Sequence, residues 1–131
     1  MTEARRLRAL VAEDSPTARA LLVEVLGSDP GLEVVAQATN GQEAVEMTKG
    51  LRPDVITMDI RMPVMGGLEA TEEIMNVAPT PIVIVSGSLA RPDVELSMNA
   101  LRAGALAVLA KPVGPAAPGF PEEGHQLVAT V

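Results

Sequence analysis

The chain predicts an α/β fold, one parallel sheet wound on both faces, and three observations carry that prediction. Short runs rich in Val, Ile and Leu recur five times. Stretches of helical period separate them, and Gly, Pro, Asn and Asp mark the junctions. Short apolar runs of this kind read as strands covered on both faces. Their regular alternation with helices implies βαβ units, right-handed crossovers and a doubly wound sheet. At 131 residues the whole chain, 1–131, reads as a single domain with one core.

The first strand run is Leu7–Ala12. Ser15 after it suits the cap of a helix and Pro16 the first turn. Ala18, Leu21, Leu22, Val25 and Leu26 then recur at spacings of three and four, and Gly27 is suited to end the helix. Val34–Ala38 is the second strand. Asn40 with Glu43 three residues on has the form of a capping box. Ala44, Val45, Thr48 and Leu51 give this second helix its apolar face, and Gly50, Pro53 and Asp54 end it. Val55–Ile60 is the third strand. A third helix runs from about Gly67 to Val77 with Leu68, Thr71, Ile74 and Met75 inward. Ile82–Val85 is the fourth strand. A helix from about Pro92 to Ala103 follows, stopped by Gly104, and Leu106–Ala110 is the fifth strand. Residues 113–120 form a Pro/Gly-rich connection, long for a loop of this fold. Pro121 opens a last short helix with Leu127, Val128 and Val131 on one face. It ends on an apolar residue without a cap, so the natural chain is expected to continue past Val131. There is no solenoid-type repeat.

Composition removes several functions. The absence of cysteine excludes disulfides, thiolate catalysis and Cys-ligated zinc. There is no signal-like N-terminus and no apolar run near the ~20 residues that span a bilayer. A soluble, cytoplasmic domain without a membrane role is expected. Net charge is −7, and the one basic segment is Arg5, Arg6 and Arg8. That balance argues against nucleic-acid binding, and the arginines read as a solvated lead-in to the first strand. The single aromatic, Phe120, excludes base-stacking surfaces and aromatic cages. Met58, Met62 and Met65 read as packing material first and as an adaptable contact surface second. His125, alone in a polar stretch, reads as a surface residue.

Ligands of open parallel sheets bind beyond the carboxyl ends of the strands, where strand order reverses. Here those ends read Glu13-Asp14, Ala38-Thr39, Asp59, Ser86-Gly87-Ser88 and Lys111. Each has a plain structural reading alone: Asp59 a turn residue, Glu13 and Asp14 helix caps, Ser86 a strand end, Lys111 a solvated cation. Together they carry chemistry. Two carboxylates about 4 Å apart repel by about 4 kcal/mol at an effective dielectric of 20. Three of them call for compensating positive charge, from Lys111 and from a divalent cation. Magnesium suits hard oxygen donors, whereas zinc would want histidines. Carboxylates, a hydroxyl and a lysine fit phosphoryl transfer.

Four pieces carry a family resemblance: Val11-Ala12-Glu13-Asp14-Ser15; Met58 through Glu69, with Asp59, Met62-Pro63 and Gly66-Gly67; Val83-Ile84-Val85-Ser86-Gly87; and Lys111-Pro112. In this order, at the strand ends and across residues 7 to 112, they resemble the receiver domain of bacterial two-component response regulators. The resemblance implies a flavodoxin-like (βα)5 sheet of strand order 2-1-3-4-5. It implies that Asp59 is the phosphoacceptor for a sensor histidine kinase and becomes an aspartyl phosphate. Asp14, Asp59 and the backbone carbonyl of Arg61 would ligate Mg2+, with Glu13 holding it through water. Ser86 and Lys111 would bind phosphoryl oxygens, and Lys111–Pro112 is similar to a bond often cis in the family. The domain would signal to an output domain or effector protein, with homodimers allowed, and would not itself be an enzyme.

Within the family, Pro81 to Ser86, the long fourth helix, the Met65-Gly66-Gly67-Leu68-Glu69 turn and the Pro/Gly-rich tail resemble the receiver of chemotaxis protein-glutamate methylesterase. Nothing after residue 112 supplies the Ser-His-Asp set of an esterase. Many receivers carry an aromatic switch residue three positions before the lysine, where this chain has Val108. Alternatives are the receiver of another response regulator, stand-alone or transcriptional, and an interaction domain that takes no phosphate. A magnesium-dependent phosphatase would need a second Asp as general acid where Arg61 stands, and arginine does not give up its proton at neutral pH.

Overall fold

A computed structural model describes residues 6–86 and 94–110. Strand and helix alternate as predicted: β1 (Leu7–Ala12), α1 (Pro16–Gly27), β2 (Leu32–Ala38), α2 (Gly41–Leu51), β3 (Val55–Met58), α3 (Gly67–Val77), β4 (Ile82–Ser86), α4 (Val94–Ala103) and β5 (Ala107–Ala110). The expected connection at 113–120, the last helix, the Lys111–Pro112 bond and His125 lie outside the described residues. Among the described residues no helix is long and apolar enough to cross a membrane.

All strand pairs are parallel, in the order β2-β1-β3-β4-β5. The order reverses at β1, which has β2 on one side and β3 on the other. Period-two alternation along the inner strands feeds two cores. Leu10, Ala12, Ile56, Met58, Ile82 and Ile84 share one cluster with Ala44 and Val45 of α2, Ala70 and Ile74 of α3 and Ala100 of α4. Val11, Val83 and Val85 share the other with Leu22, Val25 and Leu26 of α1. Residues at consecutive positions of one strand thus serve opposite faces of the sheet.

Several local expectations change. β2 lies at the sheet edge, and Val34, Val35 and Ala36 are only half-buried there rather than covered on both sides. Its register with β1 shifts by a residue after Ala9. β3 stops at Met58, so Asp59 and Ile60 lie beyond the strand. Ser15 and Asn40 cap α1 and α2, accepting from the N–H groups of Ala18 and Glu43. The reciprocal arm of the expected capping box lands one residue early: Glu43 Oε1 accepts from the backbone N–H of Thr39 at 2.7 Å and from its hydroxyl at 2.7 Å. Gly27 remains helical and Ser28 ends α1 in right-handed geometry. The left-handed residue that ends α2 is Arg52 (φ 49°), not Gly50. Leu51, read as core, is 40% exposed.

The basic lead-in is also not simply solvated. Arg6 is exposed and Arg5 lies outside the described residues, but Arg8 is half-buried. Its guanidinium donates to the carbonyls of Leu51 (2.8 Å) and Arg52 (3.1 Å), at the negative end of α2. The Arg8 N–H also donates to Asp54 Oδ2 at 2.8 Å, and the Asp54 N–H returns a bond to the Arg8 carbonyl. This clasp ties β1, α2 and the start of β3 together at the sheet end away from Glu13, Asp14 and Asp59.

Candidate functional site

The reversal of strand order sets Glu13 and Asp14, after β1, beside Asp59, after β3. Ala12 pairs with Met58 in register, and the Asp59 N–H donates to the Ala12 carbonyl at 3.0 Å. On the other side the Glu13 N–H donates to the Ala38 carbonyl at 2.9 Å. The backbone ladder therefore runs one step past each strand and holds both acidic residues level.

The turn into α1 orients Glu13. Its Oε2 accepts from the Ser15 N–H at 3.1 Å, and its carbonyl accepts from the Arg19 guanidinium at 3.0 Å. Glu13 is wholly buried, Asp14 exposed and Asp59 7% exposed. Asp59 Oδ1 accepts from the Ile60 N–H at 2.8 Å, which aims the carboxylate. Oxygens of Glu13, Asp14 and Asp59 all lie within 4.8 Å of one another. Each ionised pair at that distance costs roughly 3–4 kcal/mol at an effective dielectric of 20, less where solvent reaches Asp14. The donors are all hard carboxylate oxygens, one of them open to solvent. That set fits a hard divalent cation that keeps part of its water, and no thiolate exists in the chain to favour a softer metal.

Ser86, 2% exposed, ends β4 two residues past Ile84, the partner of Met58, and so lies at the same end of the sheet. Lys111 follows β5 and lies outside the described residues. Arg61 is exposed on the loop after Asp59. Met58 is fully buried, and Met62 and Met65 are half-buried against the core. These methionines anchor the loop rather than offer a free surface. Val108 is half-buried against the same core.

Sequence reading missed how this loop is held. Gly67, the first residue of α3, donates its N–H to the Ile60 carbonyl at 2.8 Å. A Cβ there would overlap the Asp59 carbonyl oxygen and lie 2.8 Å from its carbon. The doubled glycine at 66–67 was the visible signal. The Thr39–Glu43 pair beside the site was likewise unforeseen. The Thr39 N–H first, then its hydroxyl, hold the Glu43 carboxyl below its ordinary pKa; partial desolvation opposes them and the Arg19 charge adds to them.

Comparison with known proteins gives a consistent picture. A family model described as the response regulator receiver domain matches residues 9–117. The chain is 58% identical over 125 residues to protein-glutamate methylesterase/protein-glutamine glutaminase 4 of Myxococcus xanthus, covering 95% of this chain and 35% of that protein. It is 56% identical over 125 residues to enzyme 3 of the same name from Anaeromyxobacter dehalogenans, covering 95% and 36%. The chain thus spans about a third of the length of these curated relatives. Among solved structures, the response regulator domain of CheB from Thermotoga maritima superimposes with a TM-score of 0.85 at 41% identity, covering 95% of this chain and 92% of that one.

Proposed function

The chain belongs to the response regulator receiver domains of two-component signalling, and from that premise we propose that Asp59 is its phosphoacceptor and that the domain regulates a methylesterase of the chemotaxis type. The observation that carries the reading is the meeting of Glu13, Asp14 and Asp59 at the switch point of the sheet, their oxygens within 4.8 Å.

In the proposed reaction an Asp59 carboxylate oxygen attacks the phosphorus of a phosphohistidine in line. The P–N bond breaks, and its electron pair leaves with the imidazole nitrogen, which takes up a proton. Asp14, Asp59 and the Arg61 carbonyl would hold Mg2+, with Glu13 acting through water. When bound, the cation would offset part of the negative charge of the carboxylates and of the phosphoryl oxygens. The bond from the Ile60 N–H keeps Asp59 aimed. Ser86 and Lys111 bind the phosphoryl oxygens in this reading. The phosphoryl donor is a sensor histidine kinase.

Identity to methylesterases over one third of their length supports the regulatory role. The test has two levels. With Mg2+ and acetyl phosphate, intact-mass measurement should show one phosphoryl group, absent in Asp59→Asn and absent with a chelator. No label under conditions that label a control receiver would overturn the site. In a methylesterase that carries this domain, phosphorylation should raise methyl-ester hydrolysis, and Asp59→Asn should abolish that rise. A labelled protein with unchanged hydrolysis would overturn the output alone.

A further inference from the structure

We infer that the first turn of α2, through Gly41, is a positioning clamp that sets the loop carrying Asp59 and the metal-facing backbone. This rests on the proposed phosphoacceptor role for its consequence, but not for its geometry.

The loop 60–66 is pinned at two points by two different helix starts. At one end α3 holds it, through the Gly67 N–H on the Ile60 carbonyl. At the other end the Gly41 N–H donates to the Met65 carbonyl at 2.9 Å. Gly41 is the first residue of α2, so this N–H has no acceptor within its own helix. It lies at the positive end of the helix dipole, where a carbonyl oxygen is favoured. The approach leaves no room for a side chain. Gly41 is buried, and a Cβ would overlap the Met65 carbonyl oxygen, lie 2.9 Å from its carbon and 3.0 Å from the Met65 Cβ.

Between the two pins the loop is strained. The Met65 N–H donates to the Pro63 carbonyl at 2.7 Å, closing a γ-turn centred on Val64. Val64 has φ 69°, and the positive-φ γ-turn is the rare, strained kind. A β-branched residue is ill suited to that region. Val64 is 81% exposed, so packing of its own side chain does not hold it there. Such strain persists only where the surroundings over-determine the backbone. Here the surroundings are the half-buried Met62 and Met65 side chains and the Gly41 clamp. Losing the clamp lets the turn relax, and Arg61 and Asp59 lie on the same stretch of chain.

The test compares wild type with Gly41→Ala and Asn40→Ala. Gly41→Ala forces the two backbones apart. Asn40→Ala removes the cap bond to the Glu43 N–H (2.8 Å) and loosens the same turn without adding an atom. Amide signals of Ile60 and Gly67 in 15N–1H spectra report loop position without any ligand, and calorimetric titration with Mg2+ reports the site. Folded Gly41→Ala should shift both signals and weaken Mg2+ binding by at least ~10-fold, the scale on which loss of a supporting contact acts on a metal site. Asn40→Ala should do the same to a smaller degree. A folded Gly41→Ala with wild-type signals and affinity would sink the inference. Should Gly41→Ala fail to fold, Asn40→Ala with faster Gly41 amide exchange but unmoved Ile60 and Gly67 signals sinks it equally. A wild type that takes no phosphoryl group overturns the proposed function and leaves the clamp to be judged on the amide signals alone.

Discussion

Asp59 is positioned by backbone groups that take no part in the chemistry. Its N–H is spent on the Ala12 carbonyl, one carboxylate oxygen is engaged by the Ile60 N–H, and the lack of a side chain at Gly67 lets α3 start against its carbonyl. An Asp at the end of an apolar run was legible in the sequence because ionised carboxylates are rarely buried idly. The supporting bonds were not, because they depend on backbone direction: Ala12 comes beside Asp59 only through the sheet, and the Ile60 N–H reaches the carboxylate only through the turn after β3. Glu43 shows the same limit. Its spacing from Asn40 suggested a box, yet its carboxylate turned to Thr39, which offers two donors rather than one. Those bonds depress its pKa, so the stabilisation they supply is present above the ordinary carboxylate range and is lost as pH falls through the folded value. Glu43→Gln should therefore melt below wild type at neutral pH, with the gap closing in acid below about pH 4. A gap that stays constant across a pH series of thermal melts would remove Glu43 from this role.

At the scale of elements, helix starts were easier to read than helix ends. Ser15-Pro16 and Asn40 advertise α1 and α2 because an N-cap needs a particular side chain. An end can be closed by any backbone that turns, and here Ser28 and Arg52 did so while Gly27 and Gly50 stayed helical. Arg8 adds to the left-handed end at Arg52 by donating to the Leu51 and Arg52 carbonyls across the sheet end. Inward faces followed period and size. Ile74 of α3 is fully buried in the larger core, whereas Leu101 of α4 is 51% exposed. Ile74→Ala should cost about 2–5 kcal/mol in urea unfolding, while Leu101→Ala should stay within about 0.5 kcal/mol. Equal losses at the two positions would contradict this account of the α3 and α4 faces.

For the molecule as a whole, the sheet order converts scattered acids into one site. β1 and β3 are neighbours only because the order reverses at β1, and that reversal brings Glu13 and Asp14 to Asp59. The mutual repulsion of the cluster opposes folding, and a bound cation should offset it. Mg2+ at a hundred times its Kd should add about 2.7 kcal/mol to the unfolding free energy, seen as a rise in melting temperature that Asp59→Asn largely removes. The same rise with sodium at matched ionic strength would reduce the effect to screening. The sequence by itself determined the α/β alternation, the cap-defined helix starts and the set of strand-end residues, because hydrophobic period and capping chemistry are local. Only the tertiary structure decided which of those residues meet, how the Arg8 clasp closes the far end, and how Gly41 and Gly67 hold a strained loop at Val64. Those depend on how segments approach and turn against one another in space, and a list of side chains carries no record of that distance.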